Sequence, residues 1–181
     1  GKVGAWLKHV YRDSAEGHSN PQIDPERVSL NETLWGGHRR PSKGRRVDLH
    51  VKDLVQECLA AVKRPLRSNA VVIRPLMLQI DPRWYEDNDP NWKENGFSAE
   101  SKRLHAVMYD WAQKTFGEQN ILPGQLHADE NAPHLQIPFV PVTEDGRLSQ
   151  KDFFPGPAAL REMRSDLLKR LNDEGFEVAD L

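Results

Sequence analysis

Apolar side chains recur at Val3, Trp6, Leu7 and Val10, the i, i+3, i+4, i+7 spacing of one helix face, so residues 2–12 predict an amphipathic helix. The same spacing brings His9 and Arg12 together on its polar side. A turn-rich stretch from Gly17 to Pro21 follows, then Ile23-Asp-Pro-Glu-Arg27 running on to Leu30 and Asn31. Leu54, Val55, Cys58, Leu59 and Val62 share one face of a second helix, capped by Asp48 and reaching about residue 63 before Pro65 ends it. Val71 to Ile80 is β-rich and apolar and predicts a central strand in spite of Pro75, whereas residues 82–97 read as an acidic loop rich in Asn and Trp. Ser98 caps a long helix through Phe116, with Leu104, Val107, Met108 and Trp111 inward and Gly117 at its end. Paired strands over 121–127 and 134–141 come next, then a turn at Glu144-Asp-Gly146. A last helix runs from Pro157 to about Asn172, Gly175 stops it, and Phe176 to Val178 adds a short strand. Strands and helices alternate irregularly with short turns, which predicts an α+β layer fold rather than a doubly wound one.

With 181 residues, the chain is long enough for one sizeable core and is read as one domain, 1–181. Hydrophobic residues make up 38% and charged residues 29%, the balance of a globular protein with a very polar surface. No apolar run approaches a membrane span and no signal-peptide pattern opens the chain. The single cysteine, Cys58, excludes an internal disulfide framework, fits a reducing compartment and is read as packing. The net charge of −2 hides an asymmetry: residues 1–75 hold 14 Lys/Arg against 8 Asp/Glu, and residues 76–181 hold 11 against 19. Five cations, Arg39, Arg40, Lys43, Arg45 and Arg46, fall within eight residues of a Gly- and Pro-containing loop, a composition suited to DNA phosphates and equally to a solvated loop.

The stretch from His127 to Gln136 gathers metal-ligand types at a spacing no helix explains. Pro133 denies it a helix interior and Asn-Ala-Pro reads as a turn, so strand, turn, strand is expected. His134 and Gln136 then share one face of the second strand, as His127 and Asp129 do on the first. Two imidazoles, the carboxylates of Asp129 and Glu130 and an amide can converge on one cation, a mixed N/O set suited to Mn²⁺, Mg²⁺ or Zn²⁺.

Two groups of residues carry a family resemblance. His9-Val-Tyr-Arg12, His18-Ser-Asn, Ile23-Asp-Pro-Glu-Arg27 and Leu30-Asn31 resemble the N-terminal motif of plasmid mobilization relaxases of the Mob/Pre (MobV) type. His127-x-Asp-Glu130-x-x-Pro-His134-x-Gln136 is similar to that family's third, metal-binding motif, and the likeness runs on through Phe139-Val-Pro141, Gly146-Arg-Leu-Ser149 and Gly175-Phe-Glu177. The resemblance implies a relaxase domain of the histidine-hydrophobe-histidine endonuclease superfamily, with a central antiparallel β-sheet flanked by helices. It further implies a metal-dependent enzyme of the bacterial cytoplasm that nicks one DNA strand at an origin of transfer and stays bound to the 5′ end. DNA that is single-stranded around the nick is likewise implied, and a helical region past Leu181 that supports a homodimer is expected. In this reading His9 is the nucleophile, with Tyr11 as rival; Arg12 holds the phosphate; His127, His134 and Gln136 hold Mn²⁺ or Mg²⁺; and Glu130 lies nearby.

Three departures sharpen the expectations. Val10 stands where the family usually has Asn after the nucleophile, and Gln136 replaces the last metal histidine. A glutamine carbonyl is a harder donor that favours Mg²⁺ or Mn²⁺ over Zn²⁺. The family's opening strand would precede Gly1, which leaves its place in the sheet empty or filled by another segment. The competing readings are a catalytically inactive DNA-binding module of the same fold and a metal-dependent hydrolase of small substrates. Among the other polar residues, His18 and Asn31 are candidates to support the nucleophile, contact DNA or stabilise turns, and Asp129 is expected to orient a ligand histidine. His38 and His50 are expected in solvent or in the basic loop, and His105 on a helix surface. Trp84, Tyr85 and Trp92 are candidates to stack on bases, with core packing expected of at least one.

Overall fold

A computed structural model describes residues 2–12 and 21–180. Helix α1 (Lys2–Tyr11) is followed by a 3₁₀ turn (Pro25–Leu30), strand β1 (Glu32–Leu34), helix α2 (Val47–Leu59) and strand β2 (Arg74–Leu78). Short helices α3 (Arg83–Asn88) and α4 (Trp92–Asn95) precede the long α5 (Ala99–Phe116). Strands β3 (Gly124–His127) and β4 (His134–Phe139), the short α6 (Gln150–Phe153) and α7 (Pro157–Asp173) complete the chain. The sheet is antiparallel throughout, in the order β1-β3-β4-β2. This is the expected α+β architecture, a central antiparallel sheet with flanking helices. No helix among the described residues is long and apolar enough to cross a membrane.

Alternation along β3 and β4 assigns the two faces of the sheet. Leu126, Leu135, Ile137 and Phe139 point into the larger core, where they meet Leu104, Met108 and Phe116 of α5 and Leu167 and Leu171 of α7. Ser98 starts α5 by accepting from the Ser101 amide, and Gly117 ends it at φ 95°. The ring of Tyr109 on α5 lies so close to β3 that a Cβ on Gly124 would stand 3.0 Å from it, so glycine lets helix and strand approach closely there. A second core joins Leu7, Val10 and Tyr11 of α1 to Val51, Leu54 and Val55 of α2 and to Leu122, Val140 and Val142 at the far end of the central hairpin.

Several expectations are corrected. The Val71–Ile80 strand is shorter, and it is an edge strand rather than a central one: β2 pairs only with β4, and Pro75 sits opposite Pro138. Proline has no N–H to give a second neighbour, and two facing prolines fit only a non-hydrogen-bonded pair. The strands expected over 121–127 and 134–141 are trimmed to 124–127 and 134–139, and α2 stops at Leu59 instead of residue 63. The 82–97 segment is two short helices instead of a loop, because its aromatic residues are core residues. Trp84, Tyr85 and Trp92 are all buried, with Trp92 stacked on Phe97, so none of the three is presented to a base. Phe176 and Val178 are buried but form no strand; the Val178 amide instead donates to the Asn172 side chain.

Candidate metal centre

The β3–β4 hairpin puts His127 directly opposite His134 and Gln125 opposite Gln136, all on the face away from the larger core. The ring nitrogens are sorted by backbone carbonyls. A carbonyl can only accept, so His127 Nε2, 2.6 Å from the Val10 oxygen, carries a proton, as does His134 Nδ1, 3.0 Å from the Ala132 oxygen. The two remaining nitrogens, His127 Nδ1 and His134 Nε2, face each other at 3.2 Å. Glu130 Oε2 lies 2.8 Å from His134 Nε2. One ligand atom from each of His127, Glu130 and His134 falls within 4.8 Å of the others. Such a group of electron-rich atoms needs a positive charge among them, and a divalent cation or a proton can supply it. Burial pushes the His127 pKa down to about 3, and the neighbouring Arg12 charge adds to this, so its imidazole is neutral and its Nδ1 lone pair is available.

Gln136 lies two residues past His134 on the same strand and face, flanked by Gln125 and Met77. Its Oε1 is buried and accepts no hydrogen bond among the described residues, unlike Gln125 Oε1, which accepts from Thr33 at 2.6 Å. An orphaned carbonyl beside two imidazoles and a carboxylate fits a hard divalent cation.

The end of α1 docks onto this hairpin at three points. The Val10 carbonyl accepts from His127 Nε2, the Tyr11 hydroxyl donates to the Pro123 carbonyl at 2.6 Å, and Arg12 Nε donates to Asp129 Oδ2 at 2.9 Å. Arg12 lies just past the helix with φ 53°, a left-handed conformation usually left to Gly or Asn. Its guanidinium also reaches the His9 carbonyl, and Glu130 at 3.7 Å. His9, one residue before Val10, is half-buried at this junction. The guanidinium expected to hold a phosphate is thus taken up by Asp129, with the two side chains only 2% and 0% exposed.

Asp129 corrects a second expectation: it touches Arg12 and Asn31 rather than a ligand histidine. Burial raises its pKa, but the hydrogen bonds from Arg12 and Asn31 outweigh that and hold it below the usual carboxylate value. Asn31, one of the turn candidates, bridges the site. Its Nδ2 donates to Asp129 at 2.9 Å while its Oδ1 accepts from the Ala128 amide at 2.7 Å. His18 lies outside the described residues.

The basic loop looks different in three dimensions. Arg39 pairs with Glu57, Arg45 with Asp53 and Arg46 with Asp48, each at 2.7 Å, while Arg40 lies over the Trp35 ring and Lys43 is exposed. Helix α2 therefore supplies a carboxylate to three of the five cations, a feature invisible in a linear charge count. His50 is buried against the Arg39 carbonyl rather than solvated, and His38 reaches the Ile121 carbonyl. His105 is fully buried, not on a surface, and shares a hydrogen bond with the Tyr85 hydroxyl at 2.9 Å. Cys58 is half-buried and its thiol donates to the Gln119 carbonyl, as befits packing; burial pushes its pKa up to about 11.

Residues 1–179 match the Mob_Pre family, described as plasmid recombination enzyme. A 65 kDa protein of Zymomonas mobilis is 32% identical over 91% of this chain and 25% of its own length. A plasmid recombination enzyme of Streptococcus agalactiae is 30% identical over 98% of this chain and 33% of its own length. The chain therefore spans about a quarter to a third of these curated relatives. Among solved structures, the MobM relaxase domain (MOBV; Mob_Pre) bound to plasmid pMV158 oriT DNA, in a Mn-bound crystal structure, superposes with a TM-score of 0.74. It is 27% identical to this chain and covers 99% of it, with 83% of the MobM chain matched. The chain belongs to the Mob_Pre family of plasmid recombination enzymes, whose MobM relaxase shares its fold.

Proposed function

We propose that this chain is the DNA-nicking domain of a plasmid mobilization relaxase, cutting one strand at an origin of transfer and holding the 5′ end covalently. The carrying observation is the junction of α1 with the hairpin, where the helix end bearing His9 gives its Val10 carbonyl to the ligand histidine His127. The likeness to a relaxase domain whose crystal structure holds both oriT DNA and Mn supports the reading.

His127, Glu130, His134 and the orphaned oxygen of Gln136 would hold Mn²⁺ or Mg²⁺. A cation held by these residues would supply Lewis-acid polarisation of the scissile phosphate and offset charge in the transition state. His9 supplies the nucleophile: an imidazole lone pair attacks phosphorus, the P–O3′ bond breaks and a 5′-phosphoramidate forms. The proton shed by the imidazole matches the one gained by the 3′-oxygen. Rejoining is the reverse step, and it needs a bond as labile as N–P. Tyr11 is the weaker candidate, since it is buried and its hydroxyl is committed to the Pro123 carbonyl. Arg12 positions the helix end through Asp129 instead of reaching out for a phosphate.

The test is incubation with supercoiled plasmid carrying the cognate origin and Mn²⁺, followed by denaturing electrophoresis. A protein–DNA adduct that is acid-labile and absent in His9→Ala supports the mechanism. An adduct that survives His9→Ala but is lost in Tyr11→Phe moves the nucleophile to Tyr11. DNA binding without nicking, whether Mn²⁺ or Mg²⁺ is supplied, leaves the inactive DNA-binding module as the function.

A further inference from the structure

A groove of about 670 Å³ opens between the segment after α2, the start of β2 and the turn after β4. Arg64, Arg67, Arg74, Arg147 and Lys151 line it, and no carboxylate does. Of these, Arg147 is already paired with Asp145 and Asp152. Arg64, Arg67, Arg74 and Lys151 make no ion pair among the described residues, in contrast to Arg39, Arg45 and Arg46 of the basic loop. The Nε of Arg74 is buried and has no hydrogen-bond partner among the described residues. Guanidinium cannot shed its proton, so that donor stays unsatisfied until an acceptor enters. Clustered cations with an unmet buried donor suit an anion with several oxygens that can take two N–H bonds at once, which describes a phosphate diester.

Arg74 stands opposite Phe139, at the other end of β4 from His134. Five residues of strand separate the two rungs by about 17 Å at ~3.4 Å per residue. We propose that this groove binds the phosphate backbone of the DNA away from the nick, and that it carries more of the electrostatic affinity than the Arg39–Arg46 loop. The assignment rests on the DNA-nicking reading and extends it to a second contact surface.

The experiment is fluorescence anisotropy of a labelled origin oligonucleotide over a range of salt concentrations. The proteins compared are the unaltered chain and Arg64→Gln/Arg67→Gln/Lys151→Gln, whose altered side chains are exposed. Each lost phosphate contact should lower the slope of log affinity against log salt by about 0.7–0.9, so the triple variant should lose about two. Arg67→Gln and Lys151→Gln alone should each give about a third of that loss, which keeps the measurement readable if the triple variant folds poorly. An unchanged slope and affinity in these variants, with the unaltered chain binding DNA, overturns the groove assignment and leaves the nicking reading standing. Stabilisation by inorganic phosphate that the triple variant loses, without any change in DNA slope, overturns it in favour of a free-anion site. Failure of the unaltered chain to bind DNA overturns both readings.

Discussion

Replacing Arg12 by Met keeps a long aliphatic side chain and removes the guanidinium that Asp129 needs. Asp129 has no exposed side-chain surface and would be left with Asn31 Nδ2 as its donor. Breaking a buried ion pair from one side costs about 3–5 kcal/mol, because the remaining charge is desolvated without compensation. The Asn31 hydrogen bond, worth about 1.5–3 kcal/mol to a charged acceptor, keeps the loss toward the lower end of that range. At about 2–4 °C per kcal/mol for a domain of this size, the melting temperature should fall by roughly 10 °C. The pH dependence gives a second reading. In the unaltered protein the Asp129 pKa is depressed, so its contribution is present above its unfolded value of about 3.9 and is lost as pH falls through the lower folded value. In Arg12→Met the burial remains while its main counterweight is gone, so protonation relieves the strain and the deficit should shrink on acidification from about pH 7 to pH 4. Urea unfolding followed by circular dichroism at both pH values measures this. A deficit under about 1 kcal/mol at neutral pH, or one that widens in acid, would refute the reasoning.

Two further outcomes are expected. In Mn²⁺ titration calorimetry, His127→Ala and His134→Ala should abolish binding and Gln136→Ala should weaken it about tenfold or more; unchanged affinity in the last variant would remove the amide from the ligand set. Metal-free protein should lose stability as pH falls below about 6.5, the unfolded histidine value, because the folded His127 pKa is pushed down to about 3. His127→Gln should flatten that slope in denaturant titrations across the range, and an equally steep slope would place the acid sensitivity elsewhere.

Local signals survived folding well. The α1 periodicity, the Ser98 and Gly117 caps of α5 and the Pro-bearing turn between His127 and His134 each depend on neighbours within a few residues, and all are realised. What failed depends on distant partners. Nothing near Trp84 or His105 in the chain reveals that Phe97, Phe176 and Glu32 will close around them. The acidity of residues 82–97 suggested a solvated loop, although the aromatic content was the stronger signal. At the candidate site the ligand types were legible, because a strand period of two puts His134 and Gln136 on one face. The Arg12–Asp129 pair and the Asn31 bridge were not, since they span 117 and 98 residues. The ion pairs of the basic loop are more local, since Asp48, Asp53 and Glu57 lie on the helix that directly follows it, but a linear count does not show which cations they meet.

The hydrogen bond from His127 Nε2 to the Val10 carbonyl has a thermodynamic consequence. Only with that proton fixed on Nε2 does Nδ1 keep its lone pair toward His134 and Glu130. Seating α1 on the hairpin and filling the His127/Glu130/His134 cluster are therefore linked equilibria, and each must strengthen the other by the same factor. A cation in place would hold the His9 helix against the hairpin, and an undocked helix would release the cation more readily. A single backbone carbonyl, that of Val10, would thereby couple helix docking to cation binding.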